Sequence, residues 1–197
     1  MDPRTWQARV TEMGTRERDR GTMRLLRIFL LAWLAVVQVD AVQAAFGTPP
    51  FTVPLDLSKA GSRIEREFRI PERQLYAFIV GFKYQERDQA DRARARRLSG
   101  SYERDRNGKI ITPGVAFALR VTVVKTAPEG ESTVIDREIN VDEIALFSWS
   151  NDEFDKEIAA LPLEKGRYRI VVETTKAAPE MKGAPISFSV HRAYRGK

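Results

Sequence analysis

The sequence predicts a mainly β protein, an immunoglobulin-like antiparallel β-sandwich of about seven strands with one or two short helices, preceded by a signal-peptide helix. Three observations lead there. Apolar and polar residues alternate in several separate segments after residue 50, the period of half-buried strands. Polar turn residues separate those segments, and no Pro/Gly-rich linker splits the stretch. Finally, Leu163-Glu164-Lys165-Gly166-Arg167-Tyr168 has the spacing of a tyrosine corner, in which a tyrosine near the start of a late strand bonds back to upstream backbone.

The N-terminal segment reads as an address. Met23-Arg24-Leu25-Leu26-Arg27 is basic, Ile28 to Val37 is an apolar run of ten, and Val42-Gln43-Ala44 places small or aliphatic residues at −3 and −1. Basic, apolar, small is the order of a secretory signal peptide, with cleavage expected between Ala44 and Ala45. The run is shorter than the ~20 residues that span a bilayer, so the alternative is an uncleaved anchor. Residues 1–22 are polar, and a signal peptide starting at Met23 would be of ordinary size. The expected organisation is an N-terminal extension and signal peptide over 1–44 and a single sandwich domain over 45–197, periplasmic or secreted, soluble once the signal peptide is removed.

Seven strands follow in order. Val53, Leu55 and Leu57 mark the first. Ile64, Phe68 and Ile70 mark the second, stopped by Pro71. Residues 75–84 are apolar on both faces, which predicts a central strand covered on both sides. Its row Tyr76, Phe78, Phe82 and Tyr84 reads as core rather than as a ligand platform. Phe117 to Val123, Ile135 to Val141, Tyr168 to Val172 and Ile186 to Val190 supply the other four. Two helices are expected. Ser150 and Glu153 have capping-box spacing, Trp149 and Phe154 that of a hydrophobic staple, and Phe154, Ile158 and Leu161 share a helical face before Pro162. The second runs from Glu86 to Leu98, with Ala90, Ala93 and Leu98 as its apolar face.

Composition removes whole classes of chemistry. The 197 residues include no cysteine and one histidine, so thiolate nucleophiles, disulfides and Cys/His zinc sites are excluded. Net charge is +6, but seven arginines and five acids lie in 1–44, leaving 26 cations and 22 acids beyond, net +4. That mild balance in an exported chain argues against nucleic acid as a partner. No Gly-x-Ser-x-Gly or phosphate-cradling glycine loop is present, no cofactor is implied, and the chain reads as no enzyme. Asp152, Glu153, Asp155 and Glu157 lack an opposing carboxylate for glycosidic chemistry and are accounted for as first-turn acids of the expected helix. His191 groups with Ser187 and Ser189 as an exposed residue. Around Asp105-Arg106-Asn107-Gly108 a calcium loop would need a carboxylate where Gly114 stands, so Asn107-Gly108 reads as a tight turn.

One segment stands out as a surface for partners. Arg92, Arg94, Arg96, Arg97, Tyr102, Arg104 and Arg106 crowd one excursion between strands. Arginine forks suit carboxylates and phosphates, and Tyr102 adds a stacking face. Asp88 precedes Arg92 by four, a favourable helical pair. Arg94, Arg96 and Arg97 lack acids on their C-terminal side and are the expected free donors. The leading expectation is therefore a non-enzymatic protein-binding module for a protein with an acidic surface. The alternatives are an immunity protein neutralising a periplasm-acting toxin, and an envelope-associated domain resting on anionic lipid.

Pro50-Phe51-Thr52-Val53-Pro54-Leu55-Asp56-Leu57-Ser58, and the run from Phe154-Asp155-Lys156 through Gly166-Arg167-Tyr168 to Ala178-Pro179-Glu180 and Arg192-Ala193-Tyr194, resemble a family of small exported proteobacterial proteins of unknown function. The resemblance covers most of 49–197. It implies a single exported domain and brings no catalytic residues. Several members look like lipoproteins, from which this chain departs by lacking the cysteine.

Overall fold

A computed structural model describes residues 47–193. The signal peptide, its Ala44–Ala45 cleavage site and the start at Met23 lie outside them. Among the described residues no helix is long and apolar enough to cross a membrane.

Two antiparallel sheets face each other. The strands are β1 (Phe51–Pro54), β2 (Arg63–Ile70), β3 (Gln74–Lys83), β4 (Ala118–Ala127), β5 (Gly130–Asn140), β6 (Ser148–Trp149), β7 (Glu153–Leu163), β8 (Gly166–Lys176) and β9 (Ile186–Arg192). One helix, α1 (Gln89–Ser99), interrupts the order between β3 and β4. The first sheet runs β1-β9-β3-β7-β6 and the second β2-β8-β4-β5. The predicted sandwich is present, and each of the seven segments read as strands overlaps one, although Leu55 and Leu57 are core residues beyond the end of β1.

Alternation explains the core. Phe68 and Ile70 of β2, Leu119, Val121 and Val123 of β4, and Tyr168, Ile170 and Val172 of β8 point inward from the second sheet. Tyr76, Phe78, Val80 and Phe82 of β3 meet them with Phe188 and Val190 of β9. The aromatic row is thus core, as expected. β3 is central, paired with β9 on one side and β7 on the other, and is buried from Tyr76 to Phe82. The second sheet turns its ion pairs outward, among them Arg120–Asp136 at 2.8 Å and Arg169–Glu131 at 2.7 Å.

The tyrosine corner is formed. The Tyr168 hydroxyl donates to the Glu164 carbonyl at 2.8 Å, and its ring stacks on Phe68 with centroids 5.6 Å apart. Burial pushes the phenol pKa upward, so the proton that makes the bond is held.

The helix expected around 150–161 is instead β7. Ten residue pairs join it to β3, from Gln74↔Leu163 to Lys83↔Glu153. Phe154, Lys156 and Ile158 enter the core at strand period. A register shift opposite Phe78/Ile79 buries Ala159 next to Ile158 and resets the alternation. A charged residue at an inward position and that irregularity together imitate a helical period. Pro162 is tolerated because β6 ends far earlier and leaves that side of β7 without a ladder. The expected capping box is a hairpin turn, in which the Ser150 N–H donates to the Glu153 carbonyl at 2.9 Å.

Candidate functional site: an arginine and aromatic cleft

The excursion that carries the arginine run is anchored at three points. The first is the start of α1, where the Asp88 side chain accepts from the Ala90 and Asp91 N–H groups at 2.9 and 3.0 Å. Asp88 is the N-cap, so the expected Asp88–Arg92 pair is not among the ion pairs of the described residues. The second is the helix end. Gly100 and Gly114 both have φ of +84°, and the backbone of each lies where a Cβ on the other segment would go. The Ser101 N–H donates to Thr112 O at 2.7 Å, and the Val115 N–H donates to Leu98 O at 3.0 Å. Glycine is required by the left-handed backbone and again by this close crossing.

The third anchor is Lys156, fully buried on β7. Its ammonium donates to Pro113 O at 3.1 Å, in the excursion, and to Val141 O at 3.0 Å, in the turn after β5. Burial lowers its pKa from 10.5 to about 8, while Asp142 pulls it back upward.

These anchors set α1 beside the β6–β7 hairpin. Leu98 faces inward as expected, joined by Ala95 and Ser99, whereas Ala90 and Ala93, the rest of the expected face, are exposed. The inward stripe was hidden because an arginine flanks each small residue and apolar period barely rises above the charge. Between helix and hairpin lies an open cleft of about 410 Å³, lined by Gln89, Arg92, Arg96, Tyr102, Trp149 and Phe154. Tyr102 and Trp149 stack at 5.6 Å with planes 23° apart. Both are in water, 51% and 59% exposed. The Arg96 guanidinium lies 5.6 Å from the Tyr102 ring centre and 5.5 Å from that of Phe154. Arg92 lies 5.8 Å over Tyr84, whose ring packs on Phe154 at 4.9 Å. The Tyr84 hydroxyl donates to Ser150 O at 2.7 Å and ties the hairpin to the floor.

The seven predicted partner residues therefore separate. Arg92, Arg96 and Tyr102 come together in this cleft. Arg94 and Arg97 turn to the other flank of α1, into a second cleft of about 480 Å³ that Lys83, Lys182 and Glu180 also line. Arg94 is not a free donor: its guanidinium pairs with Asp91 at 2.7 Å, and Asp91 also accepts from the Gln85 N–H at 2.8 Å. Both bonds hold the Asp91 carboxyl below its ordinary pKa. Arg104 donates to Gly108 O at 2.6 Å and stands, with Arg106, on the expected tight turn, where Asp105 caps the Asn107 and Lys109 N–H groups. Trp149 was read as a helix staple. Its exposure depended on the hairpin, which no local pattern displays.

The acids of β7 are strand residues, not first-turn acids. Glu153 accepts from Ser187 Oγ at 2.9 Å and Asp155 from Ser148 Oγ at 2.8 Å. Burial raises both pKa values, and the hydrogen bonds from Ser187 and Ser148 offset part of each rise. His191 is half-buried rather than exposed. Among the described residues no group of three or more His, Asp or Glu side chains is placed to hold a metal ion.

Residues 52–192, from β1 to the end of β9, match the family model described as domain of unknown function DUF5625. The chain belongs to this family. A crystal structure from Sulfurospirillum deleyianum resembles this DUF5625 domain with a TM-score of 0.62 and 22% identity, over 74% of this chain and 98% of that one. That likeness is one of fold. A carbohydrate-binding module that recognises mannan aligns at a TM-score of 0.37 and 9% identity, over 73% of this chain and 74% of its own. A family 35 carbohydrate-binding module from Clostridium thermocellum aligns at 0.32 and 15%, over 69% and 74%. No curated protein matches the DUF5625 chain.

Proposed function

We propose that this domain is a non-enzymatic binding module, exported to the periplasm or secreted, that recognises another protein through the cleft between α1 and the β6–β7 hairpin. The Trp149–Tyr102–Arg96 cluster carries the reading. Water-exposed rings of this size forgo roughly 25 cal/mol for each Å² that a partner would cover. Tryptophan, tyrosine and arginine are also the side chains that dominate protein interfaces. Here the Asp88 cap, a glycine crossing and a buried lysine hold the surrounding backbone, so little order is lost on binding. Arg92 and Arg96 make the lining positive and select a partner with an acidic surface. Export rests on the basic, apolar and small segments that precede Ala45.

The test is in-cell crosslinking with tagged full-length protein beside a Trp149→Ala/Arg96→Gln variant. Trp149 is exposed and Arg96 is half-buried with no ion pair among the described residues, so thermal unfolding of the variant is expected to stay close to the parent. One stoichiometric protein partner, lost in the variant, is the expected result. A partner retained by the variant, or binding only to anionic vesicles, overturns the reading. N-terminal sequencing is expected to begin at Ala45, and an intact cytoplasmic chain would remove the export element.

A further inference from the structure

The two clefts flanking α1 share a wall and differ in chemistry. Tyr84 lines the second cleft and packs on Phe154, the floor of the first. The first offers stacked rings. The second offers cations: Arg97 and Lys182 are exposed and have no side-chain partner among the described residues, while Glu180 is its one carboxylate not already paired. Between the arginine rows the helix surface is low at Ala93, a small side chain exposed between Arg96 and Arg97. Helical spacing puts Arg92 and Arg96 on one side of Ala93 and Arg97 and Arg94 on the other, with Ala90 between those last two.

Resting on the binding-module reading, we propose that the partner's contact segment crosses α1 over this alanine saddle. It places an aromatic side chain against Trp149 and Tyr102, and carboxylates against Arg97 and Lys182. A helix is about 10–12 Å across with its side chains, and extended chain advances about 3.3–3.6 Å per residue. The aromatic anchor and the first carboxylate are therefore separated by about three residues. The ligand is an acidic peptide segment with that spacing, not a uniformly anionic polymer.

The probe is a fluorescent peptide of one tryptophan, three serines and three glutamates, measured by anisotropy against the full chain. Replacing tryptophan by serine, or the glutamates by glutamines, is expected to weaken binding about ten-fold each, the scale of one lost anchor. Trp149→Ala is expected to erase the tryptophan preference alone. Arg97→Gln/Lys182→Gln is expected to erase the glutamate preference alone, with unfolding temperatures unchanged in both variants. A glutamate preference that survives Arg97→Gln/Lys182→Gln overturns the crossing and leaves the binding module standing. Equal binding when the three serines are deleted overturns the spacing. Tighter binding of polygalacturonate or phosphatidylglycerol vesicles overturns the peptide class. No saturable binding of any peptide overturns this inference, while the crosslinked partner lost in Trp149→Ala/Arg96→Gln decides the binding-module reading separately.

Discussion

The buried ammonium of Lys156 couples stability to pH in a direction that can be worked out. Its folded pKa is about 8 against an ordinary 10.5. Between those values the unfolded chain binds more protons than the folded one, so stability rises with pH. Below pH 8 both states are protonated and the cost of holding the charge in the core is fully present. Above 10.5 that cost is gone. The limiting slope is about 1.4 kcal/mol per pH unit, and between pH 7 and 9 the gain is on the order of 1 kcal/mol. Lys156→Met keeps the length of the side chain and removes the titration. It also leaves Pro113 O and Val141 O without their donor, which shifts stability by an amount independent of pH. The difference between parent and variant isolates the lysine, since the other groups cancel. Urea unfolding at pH 7, 8 and 9 reads it. With a slope of about 2 kcal/mol/M, the parent midpoint is expected to gain about 0.5 M over the variant across that range. Parallel pH profiles would refute the argument, and a parent that weakens relative to the variant would reverse its sign.

Other outcomes follow from single contacts. Tyr168→Phe removes the corner bond to Glu164 O and is expected to cost about 1 kcal/mol, seen as a lower unfolding temperature with the β circular-dichroism signal intact. Gly100→Ala meets Thr112 O at 2.4 Å and Pro113 O at 2.6 Å at a φ of +84°, and is expected to cost more than about 2 kcal/mol, whereas Gly108→Ala meets nothing within 4 Å and pays for backbone strain alone. Asp155 has a raised folded pKa, so its ionisation opposes folding as pH rises through the acid range. Asp155→Asn, which still accepts from Ser148, is expected to gain on the parent between about pH 4 and pH 7 in denaturant titrations. Asp88→Ala removes the N-cap and is expected to cost about 1 kcal/mol.

Much of this was legible in the chain. Period-two alternation identified most of the seven strands, because each buries one face and leaves the other in water, and β3 stood out by being apolar on both faces. The tyrosine corner was legible because its spacing is local. The cleft was legible in part: arginine density marked the excursion and Tyr102 within it, but not which arginines act together. That depends on helix rotation, which Ala95 and Leu98 set by entering the core. β7 was misread for an energetic reason. Glu, Ala, Lys and Leu favour a helix locally by tenths of a kcal/mol each, and ten pairs with β3 outweigh that preference. Lys156 concealed the strand further, since a lysine at an inward position looks like a break in the pattern until two carbonyls are brought to it from distant segments.

By itself, then, the sequence determined the layered β architecture, the places of seven strands, the tight turn at Asn107-Gly108 and the exclusion of cysteine chemistry. These follow from side-chain type and short-range spacing. Tertiary structure alone decided that residues 153–163 form a strand, that Trp149 stands beside Tyr102 in water, and that the arginine run divides between two clefts. Each of those depends on long-range pairing, where the free energy lies in contacts between segments that no local period records.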